Sequence, residues 1–153
     1  MRKRILILGA VFAALFSLEA LACGDSLYRV GKGVSYRVYT APLPGSVLVY
    51  GQSEGAKQLA EELARSGHGV RLVSDDLELQ TELQTGNYDV VIAAYSDHTA
   101  IESSTAGAAF LPVAQSEEEE KLAKHDYDRV MLAQEDEIKH YLKAIHKTLK
   151  QKS

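Results

Sequence analysis

The stretch 88–94 constrains the fold more than any other part of this 153-residue chain. From Val90 to Ala94 its residues are all apolar, so neither face of a strand formed here suits contact with water. A strand that is apolar on both faces is typical of the centre of a parallel sheet covered by helices on both sides. The sequence therefore predicts an α/β domain built around this strand.

Other short apolar runs alternate with amphipathic stretches before and after it. Five strand–helix units in about a hundred residues predict an α/β fold with a doubly wound, five-stranded parallel sheet and right-handed crossovers. The predicted strands are 47–50, 70–73, 88–94, 108–114 and 128–132. The predicted helices run through 56–63, 76–83, 96–104, 116–124 and 135–150.

Polar residues mark the ends of these helices. Asp75 is placed to cap the second helix, and Glu78, three residues later, completes the pattern of a capping box. The acids at 135–137 are expected to open the last helix and Lys147 and Lys150 to close it, as the helix dipole favours.

The pattern of residues 1–22 is typical of an export signal. A basic start at 1–4 is followed by an apolar run at 5–16 and by the small-x-small cleavage sequence Ala20-Leu21-Ala22. A membrane-spanning helix needs about 20 apolar residues, and Glu19 interrupts the run before that length. The mature protein is thus expected to begin at or beside Cys23, in the bacterial periplasm or tethered to a membrane.

Cys23 is the only cysteine, so the chain cannot form an internal disulfide. Ala20-Leu21-Ala22-Cys23 resembles a bacterial lipoprotein signal, in which this cysteine is acylated, although that signal prefers Leu where Ala20 stands. Ordinary cleavage after Ala22 explains the same residues. A lipidated Cys23 and a free one both remain open.

The mature chain is acidic and begins with a distinct segment. Without residues 1–22 it has 14 basic and 20 acidic residues, a balance that disfavours nucleic acid as a partner. In the segment 23–45 tyrosines alternate with basic residues, and Pro42-Leu43-Pro44-Gly45 closes it. We expect a short extended stretch or a hairpin that packs over a sheet edge, or alternatively a recognition surface.

Residues 46–150 resemble the receiver domain of bacterial response regulators, which has a flavodoxin-like fold. The resemblance lies in the strand at 47–50, in the phrase Gly86-Asn87-Tyr88-Asp89-Val90-Val91-Ile92 and in the spacing to the last helix. It implies a pair of acids just after the first strand that holds magnesium and a phosphate-accepting aspartate at the end of the third.

The residues that carry receiver chemistry are replaced in this chain. An alanine cannot accept a phosphoryl group, and without the paired acids no Mg²⁺ would be held to neutralise one. The sequence therefore predicts a degenerate receiver, or pseudo-receiver, without phosphotransfer and without a cofactor. The replaced positions are 50–52 for the paired acids, Ala94 for the aspartate, Ala114 or Gln115 for the hydroxyl residue and Ala133 or Gln134 for the lysine.

Ligands of open α/β sheets bind beyond the carboxyl ends of the strands. The candidate ligand-binding residues there are Gln52, Asp75, Asp97 and His98, with Asp76 beside them. The competing interpretation, which we favour, is that Asp75 and Asp97 cap the helices that follow them. Asp97 and His98 with Ser103 or Ser104 also supply the residue types of a serine triad, but no Gly-x-Ser-x-Gly sequence accompanies them.

Two functions remain as expectations. The first is an exported, non-catalytic pseudo-receiver that acts through protein contacts in the bacterial envelope. The second is a periplasmic domain or enzyme that binds a small ligand or metal at the strand-end loops. Side chains gathered around a pocket at those loops would favour the second, and side chains used as helix caps would favour the first.

Overall fold

The structure, a computed structural model, describes residues 40–105 and 107–152. In these ranges five parallel strands form one sheet with the order β2-β1-β3-β4-β5. The strands are β1 Ser46–Tyr50, β2 Gly69–Val73, β3 Val90–Ala94, β4 Ala109–Ala114 and β5 Met131–Leu132.

Helices connect successive strands. The order of the strands is that of the doubly wound, flavodoxin-like fold, which confirms the predicted fold class. None of the helices in the described ranges is both long and apolar enough to cross a membrane. The predicted signal at 1–22 and most of the segment 23–45 lie outside the described residues. The helices are α1 Glu54–Arg65, α2 Asp76–Thr85, α3 His98–Glu102, α4 Glu117–Asp126 and α5 Ile138–Lys152, and a 3₁₀ turn at Tyr95–Asp97 precedes α3.

β3 occupies the centre of the sheet, and all five of its residues are buried, as predicted. Val90 and Ile92 belong to a hydrophobic cluster with residues of α1 and α5. Val91 and Ala93 belong to a second cluster, with residues of α2 and α3, on the opposite face. Because side chains alternate along a strand, helices cover both faces of β3.

β5 is much shorter than the predicted 128–132. The Ala133 N–H donates to the Ala114 oxygen at 2.9 Å, so Ala114 turns its backbone groups toward β5. Along a strand, successive residues direct their backbone N–H and C=O groups to alternate sides. The backbone of Pro112, two residues before Ala114, therefore also faces β5. Proline has no N–H to donate, so the ladder ends there and residues 128–130 leave the sheet.

α5 begins at Ile138 rather than at residue 135, and the prediction that the acids at 135–137 open it is wrong. The Asp136 carboxylate accepts the Leu132 N–H at 2.7 Å, and the Asp136 N–H donates to the Leu132 oxygen at 2.9 Å. These bonds close a turn directly after β5. The chain can enter α5 only once that turn is complete.

β3 likewise begins two residues later than predicted, at Val90. The Asp89 carboxylate accepts the Ser46 N–H at 2.8 Å, and the Asp89 N–H donates to the Ser46 oxygen at the same distance. Asp89 thereby fastens the start of β1 to the start of β3 through its side chain as well as its backbone.

Candidate functional site

The carboxyl ends of β1, β2 and β3 bring the predicted residues to one edge of the sheet. Gln52 follows β1, Asp75 follows β2, and Asp97 and His98 follow β3. Sequence reasoning thus placed them at the correct edge. What each side chain can do there depends on its hydrogen bonds.

Gln52 and Asp75 both bond to the local backbone. The Gln52 amide nitrogen donates to the Ser74 oxygen at 2.8 Å and so joins the loops after β1 and β2. Asp75 accepts the Glu78 N–H at 2.8 Å, which confirms it as the N-cap of α2. Only this half of the predicted capping box forms. The Glu78 side chain, which would supply the other half, instead pairs with Arg71 at 2.6 Å.

Asp97 does not cap α3, and that interpretation of it is wrong. Asp97 is the last residue of the 3₁₀ turn, and its backbone is not extended, whereas the backbone of a capping residue normally is. Burial raises the pKa of its carboxyl, the hydrogen bond from Ser96 offsets part of this rise, and the charges of Asp76 and Glu119 raise the pKa further. Asp97 therefore lies in an electrostatic environment that disfavours its charged form.

Tyr50, the last residue of β1, is the member of this edge that sequence reasoning missed. Its hydroxyl donates a hydrogen bond to Asp76. Burial, this bond and the charges of Asp76, Asp97 and Asp75 all raise the pKa of Tyr50. The available signal was a tyrosine hydroxyl at the carboxyl end of the run 47–50, whose other residues are apolar.

His98 makes its contacts within its own turn. Its Nδ1 lies 2.8 Å from the Tyr95 oxygen, so Nδ1 carries a proton, and its Nε2 lies 3.2 Å from the Thr99 hydroxyl. Ser103 donates to the Ala100 oxygen and Ser104 to the Gln80 side chain. Neither serine bonds to His98, so these residues do not form a triad.

Aromatic rings link the turn after β3 to β4 and to the end of α4. The Tyr95 ring stacks on His98 with centroids 4.8 Å apart and meets the Tyr127 ring edge-on at 6.2 Å. Phe110, near the start of β4, also meets the Tyr127 ring edge-on, at 5.4 Å. We call these four half-buried residues the aromatic cluster. The Tyr127 hydroxyl also donates to Glu102, which anchors the cluster to α3.

The candidate residues lie neither in a metal-binding cluster of the described ranges nor at the cavity beside α5. Within residues 40–105 and 107–152, no group of three or more His, Cys, Asp or Glu side chains is placed to hold a metal ion. A cavity of about 450 Å³, broadly open to solvent, lies between the end of α4, residues 128–131 and α5. Gln52, Asp75, Asp97 and His98 do not line it.

Comparison of the chain with protein-family models, curated proteins and solved structures finds no match. The resemblance to receivers therefore rests on the strand order and on the residues quoted for it.

Substitutions at Asp75 and Asp97 should have opposite effects on stability. Asp75→Ala removes a cap and is expected to lower the free energy of unfolding by about 1 kcal/mol, whereas Asp75→Asn keeps an acceptor and changes it little. Asp97→Asn is expected to raise the stability at pH 7. The measurement is urea unfolding of the three variants over a pH series.

The pH dependence follows from the raised pKa of Asp97. The folded state holds this proton more tightly than the unfolded state, so Asp97 costs stability above its raised pKa. The gain from Asp97→Asn should shrink as the pH falls through that raised value and vanish below 3.8, the ordinary pKa. A loss of stability in Asp97→Asn at pH 7 would contradict this account.

Proposed function

We propose that this chain is an exported pseudo-receiver, which transfers no phosphoryl group and acts through contacts with another protein of the bacterial envelope. The observation that carries the proposal is Ala94. It is a buried methyl group at the end of the central strand, where a receiver has its phosphate-accepting aspartate. The strand order keeps the receiver-like frame while this position lacks the reacting group.

The neighbouring strand ends support the same interpretation. The end of β1 and the loop that follows it have Tyr50 and Gly51 in place of paired acids, and the Tyr50 hydroxyl is bonded to Asp76. Ala114 ends β4, and Ala133 directly follows β5. Both are fully buried methyl groups, so they offer neither a hydroxyl nor an amine to a phosphoryl group.

The aromatic cluster is the surface that best suits contact with a protein partner. Tyr95, His98 and Tyr127 are all half-buried, so each ring keeps an exposed portion. Tyrosine is enriched at the energetic centres of protein interfaces, where a large rigid ring loses little entropy on binding. The bonds and ring contacts within the cluster hold these rings in place before a partner arrives.

The alternative, a small-ligand or metal-binding domain or enzyme at the strand-end loops, has less support. Gln52 and Asp75 already satisfy backbone groups, and His98 bonds to its own turn. A ligand would have to break these bonds in order to recruit the side chains.

Export is tested by the intact mass of the protein recovered from a bacterial membrane fraction. We expect the mass of a chain that begins at Cys23. An added diacylglyceryl group would assign the tether, and its loss in Cys23→Ala would confirm the site of attachment. A mass that still includes residues 1–22 would contradict the proposal of export.

Partner binding is tested by chemical cross-linking of the tagged protein in envelope preparations. We expect one envelope protein at near-stoichiometric yield and a much lower yield with Tyr95→Ala. Leu77→Ala is the matched control, because Leu77 is 79% exposed on α2 and lies outside the aromatic cluster. Circular dichroism would confirm that both variants fold. Recovery of no stoichiometric partner, or equal yields from both variants, would contradict the proposal.

A further inference from the structure

The cavity of about 450 Å³ beside α5 has the size of a site for an organic molecule rather than for a bare inorganic ion. Three elements meet around it: the end of α4, the segment 128–131 that leaves the sheet, and α5. Val130, Met131 and Ala144 provide apolar lining, and the last two are buried. A ligand could therefore place an apolar part against these residues.

The remaining lining is dominated by positive charge. Lys124, Arg129, Lys143 and Lys147 line the cavity together with His140, against the two carboxylates of Asp128 and Asp136. The whole chain has a net charge of −4, yet eight of the eleven Lys and Arg residues in the described ranges lie at or after residue 121. The cavity is thus a basic site on an acidic protein.

Arg129 is held in position without being neutralised. Its Nη1 donates to the Thr148 hydroxyl at 3.2 Å and to the Gln151 side-chain oxygen at 2.9 Å, and both acceptors are uncharged. Because the hydrogen-bonded ladder between β4 and β5 ends at Pro112, Arg129 lies outside the sheet, where its side chain makes these contacts. A guanidinium fixed in this way can offer its remaining N–H groups to an anion in a fork geometry.

Lys143 and Lys147 complete the positive charge. They lie one turn apart on α5 and are exposed, and neither makes an ion pair within the described ranges. Like charges at this spacing repel each other, and a bound anion would relieve that repulsion. Lys124, by contrast, already pairs with Glu120 at 2.7 Å.

Asp136, one of the two acids that line the cavity, is engaged elsewhere. It accepts the Leu132 N–H at 2.7 Å, and its other oxygen lies 3.0 Å from the His140 Nδ1, which itself accepts the Glu137 N–H at 3.1 Å. The Asp136 side chain therefore stabilises the turn after β5, and no ion pair joins it to the lysines of α5 in the described ranges.

We infer that this cavity binds a small organic anion. Its phosphate or carboxylate group contacts Arg129, Lys143 and Lys147, and its apolar part lies against Val130, Met131 and Ala144. This binding goes beyond the pseudo-receiver function and does not depend on it.

The test uses phenyl phosphate, which joins an apolar ring to a dianion, in an NMR titration of the ¹⁵N-labelled protein. We expect saturable shifts of the amides at 128–131 and in α5, with affinity that falls as salt is added. The double variant Lys143→Gln/Lys147→Gln should bind about tenfold more weakly or worse. Lys150→Gln is the matched control, since Lys150 is an exposed lysine of α5 that does not line the cavity.

Phenylacetate, inorganic phosphate and phenol are titrated in parallel. Tighter binding of phenyl phosphate would assign a phosphate ligand, and tighter binding of phenylacetate a carboxylate. Either should bind more tightly than inorganic phosphate, which lacks the apolar part. The inference is overturned if neither aromatic anion binds saturably, if phenol binds as tightly, or if Lys150→Gln weakens binding as much as the double variant does.

Discussion

All five residues of β3 are buried, and each face of the strand packs against a different group of helices. A strand of this kind is stable only where helices cover both faces, because water cannot solvate either one. This burial places β1 and β4 on either side of β3 and directs the ends of the strands to a common edge. The position of the candidate site is therefore a consequence of the central strand.

The sequence predicted the features that depend on neighbouring residues. Apolar runs located all five strands, and Asp75 was recognised as a cap from the residues that follow it. The errors arose where specific contacts decide the bounds of an element. The length of β5 depends on Pro112 in the adjacent strand, which is distant in sequence. The start of α5 depends on a local side-chain bond, between Asp136 and Leu132 four residues earlier, which the charge pattern alone does not reveal.

The candidate site shows the same limit. Spacing along the chain placed Asp97 at the correct edge, but the burial that raises its pKa and the neighbouring charges that add to this rise come from the tertiary fold. The contact between Tyr50 and Asp76 joins residues of different elements. The basic cavity likewise assembles residues from α4, from the segment after it and from α5, which no single sequence motif reports.

The central claim is that a receiver-like frame has lost the group that accepts phosphate. The most direct test is the intact mass of the purified protein after incubation with acetyl phosphate and Mg²⁺, beside a receiver that retains its aspartate. The account predicts that the control receiver gains one phosphoryl group and that this protein gains none. A phosphoryl group on Asp76 or Asp97, at the carboxyl edge of the sheet, would contradict it.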